Sequence, residues 1–412
     1  MTSKSEVTSS KTFTKLERRY DLDWLRIVSI LLVFFYHSTL FFSTPSWLMK
    51  NAETSRYLSG IMNFGTAFAL PLFFVIAGMS TFYALNFVSA GKYTAMRALR
   101  LLLPFILGIF THIPLQIYLA SSLSGSISTS FTQFYDGLMF NGIYELGTGY
   151  FAIFGTHLWF LVILFVCSLI LIVPFVLLRK EKAQKGLQKT TSFLRKPGVI
   201  FTLVIPVILF EYLNLAIGDV IPRVGGYPMY SYILFYFFGY IIATDAKFKE
   251  AIEKQIIPAL IITIASAAVL APLLFLNYDL YETAGYHPLK NVYFLLYPIF
   301  GWSLVILFLG LGSKYFNKNN RVRKFLNELV LPFYILHQTV LLVVGYFVIP
   351  LAFSAFVKFV IIFFTSLAII VILLMIIKYI NPIRVLFGMR WKKDLIRGTK
   401  VKEEIPTTII EN

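Results

Sequence analysis

An all-α, polytopic transmembrane bundle of about ten helices is the fold class this sequence predicts, and three observations predict it. Hydrophobic residues make up 58% of the 412 residues and charged residues only 14%, whereas a soluble domain is nearer half and a quarter. Apolar runs of about 20 residues, enough to cross a hydrocarbon core of roughly 30 Å, recur along most of the chain. The basic residues fall between those runs, and mean hydropathy is +0.76.

The first run, 22–43, opens on "DLDWLR" and stays apolar to Phe42. The tail before it is polar and basic, without a small-residue cleavage motif, so the run is expected to be a retained anchor and not a signal peptide. The second, 57–88, is too long for one straight span and contains Pro71, which predicts a kinked or partly amphipathic helix. Runs at 99–121, 156–178 and 198–217 follow, then a short Tyr- and Phe-rich run at 229–244. The last four lie at 255–276, 292–313, 328–350 and 355–379. The chain therefore divides into an N-terminal tail (1–21), a transmembrane domain (22–379) and a basic C-terminal tail (380–412).

Lys and Arg fix the expected orientation. With the N-terminus inside, the inside segments carry thirty basic residues. The outside segments carry four: Lys50, Arg56, Arg223 and Lys290. Both termini are expected in the cytoplasm, with the protein integral to the plasma membrane. The net charge of +17 then reflects topology and attraction to anionic lipid, not nucleic-acid binding. Cys167, the single cysteine, excludes an internal disulfide and a cysteine metal site. The longest outside loop, about Ser122–Thr156, has no Lys or Arg. Its stretch "FTQFYDGLMFNGIYELGTGYF" spaces aromatics among polar groups, which suits stacking on a sugar and equally an interfacial re-entrant segment.

Ionisable residues inside a membrane are costly and usually face a protein interior or a cavity. Arg26 and His37 are eleven residues apart, which puts them within about 20° on one helix face and roughly 16 Å apart along it. Asp23 lies one turn before Arg26 and is placed to pair with it. Arg26 is close enough to the surface to snorkel. His37 is deeper, and is either functional or a buried, hydrogen-bonded histidine. His112 precedes Pro114 and reads best as a core histidine bonding carbonyls freed by proline. His157 opens "HLWFL", and His337 is mid-span beside Gln338, with Tyr334 one turn earlier. No histidine pair has the i, i+4 spacing of a helical zinc site, so no metal is expected. Arg97 and Arg100 in "MRALRLLLP" are three apart on one face; the pair suits phosphate, or plain positive-inside anchoring.

These residues together resemble the acyltransferase-3 family of integral membrane acyltransferases. The resemblance rests on "DLDWLRIVSILLVFFYHS", "LFFVIAGMS", "RALRLLLP", "HLWFL" and "LPFYILHQTVL", in that order, and spans about Asp21 to Tyr379. "RRYDLDWLR" and "LPFYILHQ" look closest to the family's glucan-modifying subgroup. One departure is that "HLWFLVILF" continues apolar where many relatives carry an acidic residue. The resemblance implies transfer of an acetyl- or succinyl-type group from cytosolic acyl-CoA to a hydroxyl of an extracytoplasmic glycan or related acceptor. It maps the family's essential Arg and His onto Arg26 and His37, and its basic pair onto Arg97 and Arg100, a site for the coenzyme. A hydroxyl needs a base to attack a thioester, and an imidazole that is mostly neutral at pH 7 suits His37 to that role. Asp23 would orient or neutralise Arg26. Arg26 would face phosphate or pantetheine, or stabilise oxyanion charge. Trp159, His157, Tyr334, His337 and Gln338 would line the same cavity, although Trp159 also suits an interfacial anchor. The rival reading is a transporter or flippase of a glycan or lipid-linked substrate without covalent chemistry.

Overall fold

The computed structural model describes residues 18–45, 47–137, 156–276 and 288–392. Most of the candidate sugar-stacking stretch and most of both tails lie outside the described residues. The chain runs α1 (Tyr20–Thr39), α2 (Arg56–Leu85), α3 (Ala90–Leu123), α4 (Phe131–Gly137), α5 (Trp159–Leu178), α6 (Glu181–Leu194) and α7 (Ile205–Ala216). It continues through α8 (Ser231–Ala243), α9 (Phe248–Glu253), α10 (Ile256–Leu276), α11 (Pro288–Leu311), α12 (Arg321–Val348), α13 (Ala355–Tyr379) and α14 (Asn381–Leu386). A two-residue hairpin, β1 (Arg223–Val224) against β2 (Tyr227–Pro228), is the only sheet among the described residues.

Nine helices among the described residues are long and apolar enough to cross a membrane, and α8 is a shorter tenth apolar helix. The protein is a polytopic helical bundle. The runs predicted from hydropathy are all helical, but their ends move. Helix α3 begins at Ala90, so Arg97 and Arg100 sit on its early turns and not in a loop. Helix α2 is one continuous helix of 30 residues with Pro71 inside it. Helix ends are set by side-chain caps: the Ser89 and Asn320 side chains accept from the backbone N–H of Lys92 and Arg323.

Helix α12 is the most enclosed of the membrane-length segments, and α10, α13 and the span Val199–Ala216 are the most peripheral. The periphery is apolar: Ile261, Ile264, Phe364 and Ile372 are each about three-fifths exposed, as lipid-facing side chains should be. Inside, α2 and α8 cross with backbones in contact. A Cβ on Gly78 would overlap the Tyr236 carbonyl, and one on Gly239 would overlap the Val75 carbonyl. Small residues allow such close approach between apolar helices. Here the crossing brings Tyr236 of α8 onto Thr81 of α2.

The loops sort into two sets. At one end, Arg179 bonds Asn86, Arg195 pairs with Asp245, and the Tyr20 amide donates to Asn317. At the other, Lys358 bonds Asn51, Ser122 bonds Tyr346, and Tyr212 donates to the Asn291 carbonyl. The first, basic end carries the segments grouped as inside by the Lys/Arg count.

Candidate active site

Helices α1 and α12 run parallel in matched register. Two contacts between them, Asp23 with Arg323 and His37 with His337, both join residues 300 apart in sequence. Fourteen residues separate the two levels, or about 21 Å along the helix axes.

The lower level lies at the basic end. Asp23 is buried and shared: one oxygen takes Arg323 of α12, and the other lies 3.3 Å from Arg26 Nη1. Arg323 is only 1% exposed, donates to Asn319 at 2.9 Å, and lies 4.7 Å over the Tyr20 ring. Arg26 also donates to Ser80 of α2, so the predicted Asp23–Arg26 pair exists within a larger knot. Arg97 is held by neutral hydroxyls and not by a carboxylate: Nε donates to Tyr93 at 2.8 Å and Nη2 to Tyr236 at 3.1 Å. Those phenols are tied to each other and to Thr81. Arg100 is exposed, within electrostatic range of Arg26, Arg97, Arg390 and Asp23. The two forks expected side by side therefore differ: Arg97 is turned into a tyrosine cage and Arg100 is left outward. Several cations gather here, and Asp23 among them is already engaged. That arrangement suits a polyanion.

The upper level is built of neutral polar groups. His37 Nδ1 is 2.8 Å from the Val33 carbonyl, which only accepts, so Nδ1 carries the proton and Nε2 the lone pair. By the same logic His337 donates Nδ1–H to the Tyr334 carbonyl at 2.5 Å. Its Nε2 lone pair then lies 3.3 Å from His37 Nδ1. His157 donates Nε2–H to the Ile335 carbonyl at 3.1 Å, and its ring stands 5.2 Å from His337. His157 and His337 are buried, and His37 is half-buried, the most accessible of the three. Around them Gln338 donates to Gln116 at 3.0 Å, Gln116 to Thr339 at 2.7 Å, and Thr156 to Gln116 at 3.1 Å. Tyr334 donates to the His157 carbonyl.

His37, His157, Tyr334, His337 and Gln338 are thus brought together. Trp159 is set apart: it is half-buried, and its ring meets Phe160 and Tyr232 and not the imidazoles. His112 does not follow its expected pattern, because its Nε2 is buried without a hydrogen-bond partner. Sequence reasoning missed Gln116, Arg323, Ser80 and the Tyr93–Tyr236–Thr81 cage. Gln116, a polar residue in an apolar run two places after Pro114, was the legible one. Arg323 was indistinguishable from the other basic loop residues. Among the described residues, no group of three or more His, Cys, Asp or Glu is arranged to hold a metal.

A family model described as an acyltransferase domain, that of the acyltransferase-3 family, matches residues 19–375. The glucans biosynthesis protein C of Salmonella schwarzengrund (strain CVM19633) is 24% identical over 349 residues, covering 81% of this chain and 85% of that protein. The proteins of the same name from Salmonella heidelberg (strain SL476) and Salmonella typhi match at the same identity and coverage. No solved structure matches.

Proposed function

The chain belongs to the acyltransferase-3 family and is a membrane O-acyltransferase; from that premise we propose that its donor is cytosolic acyl-CoA and its acceptor a hydroxyl of an extracytoplasmic glycan. The observation that carries this reading is the matched α1–α12 pair. It sets an arginine cluster at one level and a neutral imidazole on the same helix about 21 Å further along. Coenzyme A has a complementary shape, a phosphorylated head and a long, thin arm ending in the thioester. The head is too polar for hydrocarbon and would stay with Arg97 and Arg100. The arm would carry the acyl group, of acetyl or succinyl type, inward.

His37 is the general base. Its Nε2 takes the proton of the acceptor hydroxyl as that oxygen attacks the thioester carbonyl. The carbon–sulfur bond then breaks and the thiolate leaves. The Val33 carbonyl fixes the His37 tautomer, and His337 Nε2 is a second, longer acceptor for the same Nδ1–H, which stays in place when Nε2 is protonated. Arg26 is roughly 16 Å along the helix from His37, which favours a role at the donor end over oxyanion stabilisation. Asp23 neutralises Arg26 and ties it to α12. His157, Tyr334 and Gln338 shape the acceptor side, with Trp159 at its edge. The relatives' name, glucans biosynthesis protein C, supports a glucan-like acceptor. The basic end faces the cytoplasm in this reading, so a reporter fused after Asn412 should be active only inside.

The test is reconstitution in vesicles with acyl-labelled acyl-CoA supplied at the basic end. Label should appear covalently on an acceptor glycan, and mass spectrometry of surface glycans with and without the protein should show the acyl increment. Movement of intact thioester or glycan without a covalent product would instead establish a transporter.

A further inference from the structure

After α13 the described residues 380–392 form a closed strap. Arg384, 1% exposed, is its peg. Its guanidinium donates to the Arg390 carbonyl at 3.0 Å, the Lys378 carbonyl at 2.7 Å and Glu328 of α12 at 2.7 Å. Asn381 closes the ends: Nδ2 donates to the Lys392 carbonyl at 2.7 Å, and Oδ1 accepts from the Lys392 amide at 2.8 Å. Lys392 Nζ pairs with Glu328 at 2.8 Å. The chain reverses at Gly388, where φ is +71°, a conformation that disfavours side chains. A Cβ there would also come within 2.7 Å of the Arg100 carbonyl and 2.6 Å of Leu331. The strap is therefore seated on α3 at Arg100 itself.

The result is to hold Arg390, exposed, within electrostatic range of Arg100, which already has Arg26 and Arg97 beside it. Like charges repel, so a rigid device that adds another arginine to this group points to an anion that the group shares. We propose that Arg390, presented by the strap Asn381–Lys392, is a further arginine of the donor site and binds a phosphate group of the coenzyme head. The proposal rests on the reading of acyl-CoA as donor. Phosphate esters are also borne by anionic lipids, and the test separates the two sources.

Full-length protein in nanodiscs of zwitterionic lipid is titrated with coenzyme A and with pantetheine, which lacks the phosphates. Arg390→Gln should weaken coenzyme A binding about tenfold and leave pantetheine binding unchanged, as expected for loss of one charge-assisted contact. Arg390→Lys should fall between, because the charge remains and the fork is lost. Gly388→Val, which lifts the strap from Arg100, should reproduce the loss while Arg390 remains; thermal unfolding checks that all three variants stay folded. Unchanged coenzyme A affinity in a folded Arg390→Gln, with the unsubstituted protein binding normally, overturns the proposal alone. No coenzyme A binding by the unsubstituted protein removes the donor reading and the proposal with it. An effect of Arg390→Gln confined to binding of anionic phospholipid assigns the strap to a lipid headgroup, and also overturns it.

Discussion

The two levels of the α1–α12 pair use opposite chemistry. At the basic end Asp23 lies between Arg26 and Arg323, and Arg97 and Arg100 stand near with charge in excess. About 21 Å further along the same helices, the contact is between two imidazoles, His37 and His337, each donating to a backbone carbonyl of its own helix. Full charges occur where hydroxyls, a carboxylate and exposure balance them. Where the bundle is enclosed, the polar groups are neutral and are satisfied by glutamines, threonines and main chain. The difference follows from desolvation: a buried charge costs several kcal/mol unless paired, whereas a neutral imidazole needs only its two hydrogen bonds. One level gathers full charges and the other only neutral donors and acceptors, the division on which the proposed donor and base roles rest.

His37→Ala should lower the transfer rate about 10²- to 10⁴-fold, the usual contribution of a positioned base. Coenzyme A affinity and folding should be retained, because the substitution touches only the upper level. Full activity at matched protein levels would make His37 a structural histidine. Next in size is a stability effect at the lower level. Asp23→Asn leaves Arg323 buried without its counter-charge, and the expected loss is about 3–5 kcal/mol, read as a large drop in thermal midpoint. Arg26→Gln should cost much less, since Arg26 is partly exposed and Asp23 remains paired with Arg323 when it is removed. Equal losses from the two substitutions would mean that Arg323 is not the main partner of Asp23.

Smaller effects sharpen the division of labour. Arg97→Gln combined with Arg100→Gln should weaken coenzyme A binding tenfold or more and leave acceptor affinity unchanged. Unaltered donor affinity would reduce the pair to a positive-inside anchor. The mildest change expected is His337→Phe, which keeps a ring of similar size and removes the acceptor facing His37 Nδ1. It should lower kcat several-fold, on the order of 10-fold, with little change in KM. A change in KM alone would instead make His337 part of the acceptor pocket.

Much of this protein is written locally. The transmembrane character follows from composition and from apolar runs of sufficient length, because hydrocarbon admits only segments that satisfy their own backbone. The sorting of loops into two ends follows from Lys and Arg positions. The shared face of Arg26 and His37, and the Asp23–Arg26 contact, follow from helical periodicity alone. What the sequence did not determine is partnership between helices. Arg323 is one basic residue among many in its segment until α12 packs in register beside α1, and then it becomes the principal partner of Asp23. Arg97 and Arg100 look equivalent by spacing, yet the glycine-mediated crossing of α2 and α8 delivers Tyr236 to Arg97 only. Trp159 and His157 are two residues apart, but one faces Tyr232 and the other the imidazoles. The physical reason is that one apolar helix is as hydrophobic as the next, and lipid offers no contrast to rank them as neighbours. Close packing and buried hydrogen bonds choose the partners, and these exist only once the bundle has formed.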